Sequence, residues 1–137
     1  VGIVVDTIEP HRLFLEKILG FREISNHLEQ GIFISKLVGL PNVIVNTIKF
    51  CGDENGMIEL LHFKNPKCIQ PNISTNSLGI THIAITVSSV EAIYNKCKEN
   101  KFEPFSNPLT SVDGKVKVFY VKGPENILFE IVEEING

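Results

Sequence analysis

Cysteine is scarce in this chain. Cys51, Cys68 and Cys97 form an odd set of three in 137 residues, and no two have the two-residue spacing of a zinc or redox motif. That argues against a disulfide framework and fits reduced thiols in a cytoplasmic protein. A basic surplus is missing too. Lys and Arg number 13 against 16 Asp and Glu, a formal net charge of −3. Nothing is set aside to neutralise phosphates, so nucleic-acid binding is not expected. The longest apolar stretches are strand-sized, so no membrane span is expected. The first residues lack the basic start and apolar core of a signal peptide. There is no Gly-rich phosphate loop, nucleophile elbow or triad-like grouping. What the chain does have is a core. Apolar residues make up 43% and charged residues 21%, the balance of a folded globular protein. The length suits one compact domain or two small repeats fused into one.

The two halves resemble each other. Val1-Gly-Ile-Val-Val-Asp-Thr-Ile-Glu9 matches Ile83-Ala-Ile-Thr-Val-Ser-Ser-Val-Glu91 at an offset of 82 residues, with apolar residues aligned and Glu9 on Glu91. Met57-Ile-Glu-Leu-Leu61 matches Leu128-Phe-Glu-Ile-Val132 at an offset of 71, with Glu59 on Glu130. The first half is therefore longer by 11 residues, an excess placed in the loop around Asn26 to Pro41. The repeats run over about 1–63 and 80–134, with 64–79 as linker, and together make a single domain over 1–137.

Each half reads as strand, helix and three strands. Alternating, β-branched Val1 to Asp6 is a strand, and a helix over Glu9 to Leu19 follows, with Pro10 in its first turn and Gly20 at its end. Strands are expected at Phe21 to Ser25, Val43 to Phe50 and Met57 to Phe63. In the second half Ile80 to Val87 is a strand, and Ser88 to Glu91 has capping-box spacing. The helix it opens carries an apolar stripe of Val90, Ile93, Tyr94 and Cys97. Glu103 to Phe105, Val116 to Lys122 and Ile127 to Glu133 complete the set, with Gly123 to Asn126 as a turn. His11, in the first turn of a helix, is expected to be solvated. His27 falls in the long loop, and Lys36 to Pro41 reads as an apolar loop.

Strand side chains alternate between faces. Ile83, Ile85 and Val87 share the face that packs on the following helix, leaving His82 on the other. Phe129 and Ile131 share one face of the closing strand, leaving Leu128, Glu130 and Val132 on the other. His82 and Glu130 thus both face away from the helices. A carboxylate inside an apolar run is costly unless paired or neutralised. Glu130 in Ile127-Leu-Phe-Glu-Ile-Val132 and Glu59 in Met57-Ile-Glu-Leu-Leu61 occupy matching positions, and a metal ion would supply both with a partner. The repeat-mate of His82 would stand one residue before Val1, and a His or Gln there would close a set of one such residue and one Glu from each half.

Doubled in this way, with Gly79-Ile-Thr-His-Ile-Ala-Ile-Thr-Val87 opening the second half and Ile127-Leu-Phe-Glu-Ile-Val-Glu133 closing it, the chain resembles the vicinal oxygen chelate superfamily. That superfamily includes glyoxalase I, methylmalonyl-CoA epimerase, extradiol dioxygenases, fosfomycin-modifying enzymes and bleomycin-sequestering proteins. The resemblance implies an α+β fold of two βαβββ modules, each an incomplete barrel of curved mixed sheet with helices on the outer face. It implies a divalent metal ion (Zn, Ni, Co, Mn or Fe(II)) held by Glu59, His82, Glu130 and the residue before Val1. The motif around Glu59 is nearest to glyoxalase I and methylmalonyl-CoA epimerase. The implied activity is a lyase or isomerase that works through an enediolate-type intermediate on a small α-oxygenated substrate, with Glu130 as the base. The alternatives are an Fe(II) dioxygenase and a non-catalytic small-molecule-binding or resistance protein. A homodimer is compatible with the resemblance.

Overall fold

In the first half, β1 (Gly2–Val4) leads into α1 (Glu9–Leu13), which continues as a π-helical turn over Phe14–Ile18. Then come β2 (Arg22–Gln30), α2 (Ile32–Val38), β3 (Ile44–Gly52) and β4 (Gly56–Asn65). The second half contains β5 (His82–Thr86), α3 (Val90–Glu99), β6 (Leu109–Thr110), β7 (Val116–Lys122) and β8 (Leu128–Glu134). This is a computed structural model, and it describes residues 1–72, 74–80 and 82–135. The chain divides into two compact units, Val1–Pro71 and Asn72–Gly137.

Each unit holds one four-stranded mixed sheet, in the order β1-β4-β3-β2 in the first and β5-β8-β7-β6 in the second. In both, the opening strand pairs parallel with the closing strand and the other pairings are antiparallel. The registers carry the sequence repeat into space: Gly2 lies opposite Glu59, and Ala84 opposite Glu130. The fold class is the expected one, two strand–helix–three-strand modules with open sheets.

Alternation decides what each sheet buries. In the second unit Ile85, Phe119, Val121, Phe129 and Ile131 are buried, and Tyr94 of α3 meets the Phe119 ring edge-on at 5.6 Å. In the first unit the buried set includes Ile3, Ile48, Phe50, Ile58 and Leu60, with Phe14, Leu15 and Ile18 from the α1 segment. Gly52 closes this packing: a Cβ there would stand 2.8 Å from the Phe21 ring, too near for any larger residue.

Four expectations are revised. The helix from Glu9 does not run as a regular α-helix to Leu19, because the Phe14–Ile18 turn is π-helical and the Leu19 N–H bonds back to Phe14 O. His11 is not solvated but 3% exposed, since its helical position turns inward. The segment read as a loop from Asn26 to Pro41 extends β2 to Gln30 and then forms α2, which Gly39 ends at φ +74°. Glu103 to Phe105 is not a strand: Pro104 has no N–H for a ladder and makes only an isolated bridge to Val121, so the edge pairing falls to Leu109–Thr110. The strand expected from Ile80 crosses Thr81, which lies outside the described residues.

Candidate functional site

β7, β8 and β5 together build a polar patch in the second unit. Tyr120 lies directly opposite Glu130 in the antiparallel pair, and Glu130 lies opposite Ala84 in the parallel pair. His82 stands two residues before Ala84, one pleat along on the same face. That face is the one opposite Phe129 and Ile131, so hydrophobic burial of one set of side chains presents the other.

The three polar groups meet. His82 Nε2 is 3.2 Å from Glu130 Oε1 and 3.2 Å from the Tyr120 hydroxyl. The His82 and Tyr120 rings lie 5.1 Å apart at a tilt of 56°. The side chains of His82 and Glu130 are 34% and 27% exposed, so water still reaches them. Burial, and then the adjacent Glu130 carboxylate, push the Tyr120 phenol above its ordinary pKa. It therefore stays a protonated donor through neutral pH. Tyr120 also stacks on Phe105, with ring centroids 6.3 Å apart and planes 23° apart. Neither Tyr120 nor Phe105 was anticipated as a site residue. The 71-residue offset sets Tyr120 on Lys49 just as it sets Glu130 on Glu59.

In the first unit the corresponding row differs. Glu59 lies opposite Gly2 on one side and Lys49 on the other, and Lys49 lies opposite Ser25. The Ser25 hydroxyl is buried without a hydrogen-bond partner among the described residues. α2 packs Ile34 against Val43 and Val45, with Leu61 and Phe63 alongside. Leu61 and Phe63 follow Glu59 at two-residue steps along β4, on the same face, so α2 covers the end of the face that carries Glu59. Lys36 to Val38 belong to that helix, and Gly39 caps it. His27 lies on β2, exposed and opposite Thr47. His62 lies opposite Asn46, and its buried Nδ1 has no partner among the described residues.

Of the three expected ligands, then, the structure brings His82 and Glu130 into contact and places Glu59 in the other unit. No group of three or more His, Cys, Asp or Glu among the described residues is arranged to hold a metal ion. The pair itself fits one. Two donors each about 2.1 Å from a shared ion stand about 3.0 Å apart in octahedral and about 3.4 Å apart in tetrahedral coordination, and 3.2 Å lies between these. An imidazole nitrogen with a carboxylate oxygen also suits a divalent ion of the first transition row.

Relatives share this architecture. A glyoxalase family protein from Bacillus cereus superposes with a TM-score of 0.91 at 22% identity, covering 99% of this chain and 92% of its own. A glyoxalase/dioxygenase from Nostoc punctiforme gives 0.68 at 20% identity over 98% of this chain and 88% of its own. The fosfomycin resistance protein FosX from Listeria monocytogenes, complexed with Mn(II) and sulfate, gives 0.65 at 17% identity over 98% and 89%. No curated protein matches the sequence. Among the described residues no helix is long and apolar enough to cross a membrane. The family model of the glyoxalase/bleomycin resistance protein/dioxygenase superfamily matches residues 1–131, and with the doubled sheet order and the paired closing-strand glutamates this chain belongs to that superfamily.

Proposed function

We propose that this protein is a metal-dependent lyase or isomerase that moves a proton on a small α-oxygenated substrate. The observation that carries the reading is the 3.2 Å approach of His82 Nε2 to Glu130 Oε1 on a half-buried sheet face. His82 and Glu130 would hold the ion, and Glu59, at the repeat-matched position, is the first unit's candidate ligand. A bound divalent ion supplies Lewis acidity that favours negative charge on a substrate oxygen when the neighbouring carbon loses its proton. The chain's own groups do the rest. The Glu130 carboxylate would accept the proton from the carbon. The Tyr120 hydroxyl, kept protonated, would donate a hydrogen bond to a substrate oxygen. FosX, a member of the same superfamily, is complexed with Mn(II), which supports a metal here.

The test pairs metal analysis with solvent proton exchange on an α-hydroxyketone or thiohemiacetal. Glu130→Gln, folded as judged by circular dichroism, should lose both bound metal and exchange. Unchanged metal content would overturn the reading. One observation favours a second reading, a small-molecule-binding module without chemistry: no third ligand joins the pair among the described residues. Metal-free protein that binds an aromatic drug as tightly as metal-loaded protein, with no proton exchange, would establish it.

A further inference from the structure

The loop between α3 and β6 has an unusual exposed side chain. Phe105 is 52% exposed, yet it is firmly held. Its backbone N–H donates to Tyr120 O at 2.8 Å, and the preceding Pro104 bridges to Val121. The loop thus lies along β7 as a strand would, and the Phe105 ring is set over Tyr120 in near-parallel orientation, 6.3 Å between centroids and 23° between planes. Tyr120 in turn touches His82 at 5.1 Å between rings. A run of three rings therefore leads from an open hydrocarbon face to the imidazole and carboxylate pair.

We propose that Phe105 and the Tyr120 ring form an aryl subsite beside the His82/Glu130 pair. The substrate class is then an α-oxygenated compound with an aromatic ring next to its oxygen-bearing carbons, such as an aryl α-hydroxyketone. This deepens the proposed function and rests on its placing the substrate oxygens at His82 and Glu130. Three features carry it. The Phe105 face is exposed hydrocarbon, and a flat apolar group laid on it removes that surface from water, which is favourable. Two rings within 23° of parallel present an offset-stacking surface that suits a planar group better than a branched aliphatic one. The polar end is compact, with His82 Nε2, Glu130 Oε1 and the Tyr120 hydroxyl all at one end of the ring run. A ligand that fills both ends carries oxygens at one end and a ring at the other, the usual composition of a small-molecule site.

The test uses a matched pair of neutral probes, phenacyl alcohol and hydroxyacetone, which share an α-hydroxyketone head and differ in phenyl against methyl. Affinities are measured by calorimetry on the full chain, Zn(II)-loaded and metal-free, and Mn(II) binding is measured separately by electron paramagnetic resonance. Phenacyl alcohol should bind about tenfold tighter or more, and Phe105→Ala should bring the two within about twofold. Phe105→Leu, which keeps an apolar side chain and loses the flat face, should lose most of the preference. Tyr120→Phe should keep it while weakening both probes alike. Mn(II) binding should be untouched by Phe105→Ala, because Phe105 has no ligand atom. A wild-type ratio near one, or a ratio unmoved in Phe105→Ala, overturns the aryl subsite even where Mn(II) still binds through His82 and Glu130. A preference that Phe105→Ala abolishes in a protein that binds no Mn(II) supports the subsite and overturns the metal reading alone.

Discussion

The two units place the same glutamate in different company. Glu59 and Glu130 occupy matching positions in closing strands that pair parallel with their opening strands. Across β3 from Glu59 stands Lys49, whereas across β7 from Glu130 stands Tyr120, with His82 in contact. Glu130 instead meets an imidazole, with His82 Nε2 3.2 Å from its Oε1. The repeat has kept the scaffold and changed the neighbours, so it is the second unit that brings an imidazole and a carboxylate into contact.

The cores show a subtler version of the same contrast. Phe50 and Ile58 are cross-strand neighbours in the first unit, and Val121 and Phe129 hold the matching positions in the second. The aromatic ring has moved from the third strand to the closing strand, and the pair has kept one large and one smaller side chain. Such a volume-conserving exchange is what cores tolerate best. All four residues are buried.

The largest expected effect probes this equivalence. Phe129→Ala and Phe50→Ala should each cost about 3–5 kcal/mol in urea denaturation, and a difference of more than about 2 kcal/mol between them would break the equivalence of the two cores. Next comes the charge. Glu130→Gln should weaken Mn(II) binding about tenfold or more, about 1.4 kcal/mol. Glu59→Gln should weaken it less, because Lys49 lies opposite that carboxylate. Equal losses would erase the distinction between the units. Helix starts give a smaller contrast. Ser89 caps α3 by accepting the Ala92 N–H at 3.2 Å, while Ile8 at the start of α1 offers no side-chain cap. Ser89→Ala should cost about 1 kcal/mol, read from the thermal midpoint. The smallest effect at ordinary pH comes from the cysteines. Burial raises the Cys97 thiol to about 11, from an ordinary value of 9.0. A raised pKa means the folded state holds its proton longer, so this contribution is constant below pH 9 and is lost as the pH climbs from there to about 11. Below that window Cys97 should resist a thiol reagent that reacts with half-buried Cys51 and Cys68.

Much of this organisation was legible in the residues. The two offsets located both opening strands, both closing strands and the face shared by His82 and Glu130, because burial imposes strict alternation on a half-covered strand. α2 was not legible, since Ile32 to Val38 is apolar nearly all round, with Ile32, Phe33 and Leu37 exposed, so no polar face betrays its helical period. Tyr120 was hidden for another reason. Val116 to Lys122 reads as a strand from its own composition, but the partner of each residue depends on register, which the isolated segment does not encode. Phe105 depended on a proline-interrupted loop lying down along β7, a tertiary choice without a local signal.

The parallel pairing of β5 with β8 has a consequence for assembly. His82 and Glu130 are far apart along the chain and meet only when the last strand slides in beside the first of its unit. Parallel neighbours need a long crossover, and the closure entropy of that crossover is repaid only on docking. A polypeptide lacking β8 has no paired imidazole and carboxylate, however well α3 and β7 have formed. The contact between His82 and Glu130 therefore exists only once β8 has docked, and it reports that the second unit is complete.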